Sequence, residues 1–348
     1  MKWDAIHVNG AAAHLGRTED VATAVAEGRY DETEAREDAY LSIRVADPDV
    51  SPVDMAVTAG RTALDRAGLP ADVFALVLHA SIAHQGLDHF TAASYVQGKT
   101  VGGRAQALEI KQSSNGGMAA FELAAAHLSA ASGETAALIT TSDKFAAPAY
   151  DRYRSDGGMV MSDGATGLVL SRRPGVARLL STSVIGDATH ENAYRGEVPW
   201  TAAPGDEGWP LDIRARRGRH LENGGNIWEI VKDLTARQQE SIDIALADAD
   251  TGVEEISRVV FPNVGRSVQD WGHRKSHGID ESQATWEWGR RIGHIGAGDQ
   301  LAGLTHLLET GEVRPGDKVM LCGIGSGWSF SAAVLEITDL PDWPVTTL

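Results

Sequence analysis

The stretch SPVDMAVTAGRTALDRAGLPADVFALVLHAS, residues 51–81, decides the fold class. From Ser51 to Gly68 apolar residues recur at helical spacing, with a capping Ser-Pro-Val-Asp before them and a stopping glycine after them. A helix is predicted near 52–67. Past Pro70 the run Val73–Ser81 is continuously apolar and of strand length, as a strand covered on both faces must be. Helix followed by buried strand is the rhythm of an α/β protein.

The rhythm recurs in both directions along the chain. Residues 114–133 read as an Ala-rich helix opening on glycines, 136–143 as a buried strand and 164–173 as another. In the second half, 227–249 reads as a helix, 258–264 as a strand, 301–311 as a helix ended by Gly311, and 318–327 as a strand running into a glycine turn. Arg172–Arg178 interrupts the apolar pattern, so the expected organisation is two similar halves, 1–173 and 174–348. The acidic run Tyr30–Asp38 suits an exposed helix or loop.

Composition narrows the function. The 348 residues carry 31 Lys+Arg against 48 Asp+Glu, a net charge of −17, which argues against nucleic acid and anionic membranes as partners. Cys322 is the one cysteine, so no intramolecular disulfide can form and a cytoplasmic location is expected. No segment offers about 18 uncharged apolar residues for a membrane span. His273 and His277 stand at i, i+4 without the glutamate of a zinc-protease motif or a third ligand, so no metal site is expected.

The chemistry concentrates at Glu109-Ile110-Lys111-Gln112-Ser113-Ser114-Asn115-Gly116-Gly117-Met118. A short strand here passes through small residues into a long helix. A nucleophile at that turn would sit beside free helix N–H groups, which favour developing negative charge. An ordinary capped turn accounts for the same letters.

Taken with Ser162–Leu170 and Gly316–Ser329, that stretch resembles, in order and spacing, the thiolase superfamily. The resemblance is strongest to the initiation ketosynthases, the type III β-ketoacyl-acyl carrier protein synthases, and within them to serine-bearing acyltransferase-like members of secondary metabolism. It implies a five-layered αβαβα fold of two similar halves, a homodimer and a narrow tunnel for a phosphopantetheine arm. No permanently bound cofactor is implied; the phosphopantetheine thioester of acyl carrier protein or CoA enters as substrate.

Departures from the family pattern carry the functional reading. Ser114 stands where these enzymes have a nucleophilic cysteine, Asn263 where they have histidine, and His294 where they have asparagine. A serine hydroxyl, unlike a thiol, needs a base within hydrogen-bond reach. His294 is the natural base, and Asp299 on the same glycine-rich loop could fix its tautomer. Asn263 is a candidate donor to the reacting centre, and His190 is the second-choice acid/base residue. The resemblance places the oxyanion donors at the amide of Ser114 and at the Gly323–Gly327 turn, on Gly325 and Ser326. Cys322, inside an apolar strand, reads as a buried small hydrophobe.

Acyl carrier proteins are acidic, so docking on an acidic enzyme calls for local positive charge. Arg214, Arg216 and Arg217, in a run read as a loop before the 227–249 helix, are the candidates, although pairing with local acids accounts for them equally well. Glu229 and Val268 replace a lysine and an arginine common in the family, which favours carrier protein over CoA as donor. The expected activity is acyl transfer through Ser114 to an alcohol, an amine or a carrier-protein thiol. The alternatives are a starter-unit ketosynthase condensing with malonyl carrier protein and a non-catalytic acyl-carrier scaffold.

Overall fold

A computed structural model describes residues 1–348. Nine strands form one mixed sheet in the order Gln106–Ile110, Phe74–Ala80, Ala136–Asp143, Gly164–Ser171, Lys2–Leu15, Ala177–Gly186, Ser329–Ile337, Lys318–Gly325 and Ile256–Val260. Its join is the 14-residue Lys2–Leu15 strand. His7–Leu15 pair with Gly164–Ser171, Lys2–Val8 pair with Ala177–Ser181, and the register slips between Val8 and Gly10.

Two sides repeat one pattern outward from this join. Starting at Lys2–Leu15 on one side and at Ala177–Gly186 on the other, successive pairings run antiparallel, antiparallel, then parallel. The final parallel partner is the Gln106–Ile110 strand on the first side. On the second it has shrunk to a single bridge between Val259 and Ala284.

Helices complete the layers. Gly116–Ala130 and Asp299–Thr310 hold equivalent places on the two sides, pack on each other and touch strands of both sides, so they form the middle layer. Pro52–Ala67 covers the outer face of the first side and Ile227–Asp248 that of the second. The result is the αβαβα arrangement implied by the resemblance. Asp299–Leu308 is buried at every position, as expected of a helix enclosed by protein all round.

Local chemistry sets the element ends. Ser51 accepts the Asp54 N–H at the start of Pro52–Ala67, and Gly68 closes it with φ of 61°. The Tyr30–Asp38 run contains the helix Glu32–Asp38, capped by Asp31, and its last residue is buried rather than exposed, accepting from Tyr30 and Ser267. Lys2–Leu15, Ala177–Gly186 and Ser329–Ile337 are strands that the sequence pattern did not single out. The arginine run is the helix Ile213–Glu222, not a loop, because Asp212 caps it by accepting the Ala215 N–H. No helix is long and apolar enough to cross a membrane.

Candidate active site

Beyond the strand Gln106–Ile110, Ser113 takes φ of 50°, a left-handed conformation that is strained for a residue with a side chain. One 3-10 turn, Ser113–Asn115, then leads into the Gly116–Ala130 helix. Buried Asn115 anchors the turn, donating to Ser329 Oγ at 2.7 Å and accepting from Ser331 Oγ at 2.6 Å. Two glycines let the neighbouring strand approach: a Cβ on Gly323 would lie 2.3 Å from Asn115 Oδ1, and one on Gly325 2.6 Å from the Gln112 carbonyl. A Cβ on Gly117 would lie 2.3 Å from the Ala297 carbonyl, so only glycine lets the helix start dock against the Gly296–Gly298 turn.

That docking brings Ser114 Oγ to 2.8 Å from His294 Nε2. The backbone of His294 is held on both sides by the first half, its N–H donating to Val160 O at 3.0 Å and its carbonyl accepting from Ser162 N at 2.8 Å. Its Nδ1 lies 2.6 Å from Asp299 Oδ2. A carboxylate here can only accept, so Nδ1 carries the proton and the Nε2 lone pair faces Ser114. Asp299 Oδ2 also accepts the Asn263 N–H at 2.8 Å, and Oδ1 accepts the Ile295 N–H at 2.9 Å.

His294 is 1% and Asp299 0% exposed. Burial pushes the imidazolium towards losing its proton, but the charge and hydrogen bond of Asp299 outweigh it, leaving His294 with a pKa above that of an ordinary histidine. The backbone N–H groups of Ser114 and Ser326 donate to no protein acceptor, and Gly325 stands opposite Ser329 in the strand register. The arrangement therefore brings together a hydroxyl and a base with an orienting carboxylate, with the N–H of Ser114 free beside them.

Other expected residues lie differently. Asn263, 2% exposed, donates one side-chain N–H to the Gly293 carbonyl at 3.1 Å and so braces the loop carrying His294. His190 Nε2 lies 2.8 Å from Asp233 Oδ2, and its carbonyl accepts from Trp328 Nε1, so it belongs to another network. Arg214 grips Glu34 at 2.6 and 2.8 Å, while Arg216 pairs with Glu207 and Arg217 with Asp156. These three arginines are neutralised locally and do not make a positive docking face. Cys322 is fully buried and its thiol is pushed up to about 12 by burial.

Asp143 was missed. It ends the buried strand Ala136–Asp143, accepts the N–H groups of Ile82 and Ala83 at 2.7 Å each and that of Ala297 at 3.0 Å, and so ties the turn beside His294 to the first half. Burial raises its pKa to about 6 despite those donors. A carboxylate closing an otherwise uncharged strand was the available signal.

Comparison with known proteins agrees with this architecture. The family described as 3-oxoacyl-[acyl-carrier-protein] synthase III, C-terminal, matches residues 246–337. ChlB3, described as an acyltransferase, is 32% identical, with the match covering 97% of this chain and 99% of that one at a TM-score of 0.89. The β-ketoacyl-[acyl-carrier-protein] synthase III of Clostridium perfringens is 24% identical over 303 residues, covering 86% of this chain and 87% of its own. The 3-oxoacyl-[acyl-carrier-protein] synthase III of Aquifex aeolicus shares the fold at a TM-score of 0.76 and 18% identity, over 95% of this chain and 99% of that one. The chain belongs to the thiolase superfamily, among the type III ketosynthase-like proteins, and is an enzyme of the acyltransferase class.

Proposed function

We propose that this enzyme moves an acyl group from a phosphopantetheine thioester, presented by an acyl carrier protein in preference to CoA, through an acyl-Ser114 intermediate to an alcohol, an amine or a carrier-protein thiol. The pathway is one of secondary metabolism. On this reading residues 1–173 supply the nucleophile, and 174–348 supply the base and the oxyanion turn.

The carrying observation is the unbroken line Ser114 Oγ, His294 Nε2, His294 Nδ1, Asp299 Oδ2, with gaps of 2.8 and 2.6 Å. As Oγ attacks the thioester carbonyl carbon, Nε2 takes its proton, and the carbonyl oxygen becomes an oxyanion held by the N–H groups of Ser114 and of the Gly325–Ser326 turn. Collapse breaks the carbon–sulfur bond, and the leaving thiolate takes the proton back from Nε2. Acceptor attack on acyl-Ser114 reverses the roles: Nε2 removes the acceptor's proton, the ester bond to Oγ breaks, and Oγ is reprotonated. Asp299 orients the ring and stabilises the imidazolium throughout.

Decarboxylative condensation is the weaker reading, because a His294 engaged as base for Ser114 at 2.8 Å is poorly suited to donating to an enolate as well. A scaffold without activity leaves the aligned serine, histidine and aspartate unexplained. Val268, exposed where the family has an arginine, supports a carrier protein over CoA. The unpaired edge strand Gln106–Ile110, with Leu108 42% exposed, supports a homodimer formed along that edge.

Intact-protein mass spectrometry tests the reading. Wild type incubated with a panel of acyl carrier proteins gains the acyl mass from at least one, and Ser114→Ala gains none. An adduct persisting on Ser114→Ala moves the nucleophile elsewhere, and carbon dioxide release from malonyl carrier protein favours condensation.

A further inference from the structure

A cavity of about 240 Å³ separates the Ile227–Asp248 helix from the Phe261–Ile279 segment. Its walls mix aliphatic side chains, Val231, Leu234 and Ile242 on one side and Val264 and Val268 on the other, with the polar Thr235, Gln238 and Gln239 of the helix. Into it projects Arg274, stacked on Phe261 with its guanidinium carbon 3.7 Å from the ring centre and on Trp271 at 4.6 Å. The guanidinium forms neither a hydrogen bond nor an ion pair with protein, and its Nη1 is shut off from water without a partner. Nε2 of His273, also on the cavity wall, is buried and unpartnered too.

Such a cation is costly to bury. The two aromatic faces offset only part of its lost hydration. Asp270, the one carboxylate lining the cavity, caps the Trp271–Ser276 helix by accepting the His273 N–H at 2.8 Å and makes no ion pair with Arg274. The nearby Arg266 is paired with Glu281. One unmatched positive charge on the wall of a partly apolar cavity, open to solvent at Val231 and Val268, calls for one negative charge on an apolar body.

We infer that this cavity binds an aliphatic monocarboxylate, its carboxylate on Arg274 and its hydrocarbon among Val231, Leu234, Ile242 and Val264. Size permits it: an apolar cavity of about 150 Å³ holds benzene, so this one has room for a medium-chain acid. A dianionic phosphate would leave charge unmatched in the same chamber. The site is separate from the nucleophile. Gly323 and Gly325 face the Gln112–Asn115 turn, so Ile324 between them faces the other way, into the cavity. The ligand thus lies across one strand from Ser114, and its binding does not depend on the acyl-transfer reading.

Isothermal titration of the full-length protein with hexanoate, hexanamide and inorganic phosphate tests the inference. Hexanoate should bind at least about tenfold more tightly than hexanamide, the usual worth of a hydrogen bond to a charged group. Arg274→Met should remove that difference and leave hexanamide within about twofold, and Arg274→Lys should restore part of it. Equal affinity for acid and amide, absence of binding by either, binding of phosphate alone, or hexanoate affinity unchanged in Arg274→Met would each overturn the inference. If Arg274→Met does not fold, the wild-type contrast between acid and amide decides.

Discussion

Replacing Asp299 by asparagine probes the reactive line without changing its shape. The carboxylate accepts three hydrogens, from His294 Nδ1 and Asn263 N at Oδ2 and from Ile295 N at Oδ1. An amide has one oxygen and one NH2, so every orientation fails somewhere. With NH2 at the Oδ2 position it opposes the Asn263 N–H and drives the proton of His294 to Nε2, where it points at Ser114 and cannot accept. With NH2 at the Oδ1 position it opposes the Ile295 N–H and the imidazolium loses its counter-charge. Positioned proton transfer contributes about 10²- to 10⁴-fold. We expect Asp299→Asn to slow acylation of Ser114 by about 10³-fold, or about 4 kcal/mol of barrier at 1.36 kcal/mol per tenfold. The unsatisfied backbone N–H should cost about 1–3 kcal/mol of stability.

The pH profile adds a second reading of the same variant. Acylation needs neutral His294, whose pKa is raised in the wild type, so the rate should climb with a midpoint above about 6.5. Without the Asp299 charge, burial is opposed only by the weaker pull of Asp143 and Asp156, and the midpoint should move to lower pH while the plateau falls. Quenched-flow intact-mass measurements across pH 5–9 give both quantities. An Asp299→Asn plateau within tenfold of wild type, in protein with an unchanged circular dichroism spectrum, would refute the argument.

Other perturbations separate the remaining roles. His294→Ala should slow Ser114 acylation by at least 10²-fold, whereas His190→Ala, which breaks only the contact with Asp233, should stay within about threefold; equal losses would return His190 to the reacting centre. Gly117→Ala places a methyl 2.3 Å from the Ala297 carbonyl and should lower unfolding free energy by about 1–3 kcal/mol and acylation together, checked by urea denaturation and the adduct assay. Native protein should resist iodoacetamide for hours at pH 8, because Cys322 is buried and its thiol is pushed up to about 12; rapid labelling before unfolding would contradict that environment. In stability against pH, His294 stabilises the fold fully below its unfolded pKa of about 6.5, and that contribution is lost as pH rises through the raised folded value. Removing the imidazole should therefore flatten the decline in melting temperature as pH rises above about 6.5.

Much of the architecture was legible because buried helices and strands announce themselves by continuity and period. Pro52–Ala67 and Phe74–Ala80 coincide closely with the reading of residues 51–81. Lys2–Leu15 escaped because its letters, KWDAIHVNGAAAHL, mix charge, amide, glycine and alanine without alternation; strands on both flanks and the middle helices bury it, and no local propensity reports that. Ala177–Gly186 escaped because it begins inside the interruption taken for a seam. At the site, residue types exposed Ser114, His294 and Asp299 because serine chemistry demands a base. Asn263, His190 and the arginines required knowledge of who stands next to them: they form their bonds with Gly293, Asp233 and the acidic Glu34, Glu207 and Asp156, all but Glu207 far along the chain. Asp143 was hidden for the same reason, since its three amide partners come from loops that meet only on folding.

Val160 and Ser162 grip the backbone of His294, which enters the chain 132 positions after Ser162 and 180 after Ser114. During synthesis the hydroxyl emerges long before its activator, and a ribosome-bound chain shorter than that distance holds an alcohol no more acidic than any other. On the proposed mechanism, reactivity therefore switches on late, as a property of the finished molecule, and the growing polypeptide would escape esterification before it has anywhere to deliver the cargo.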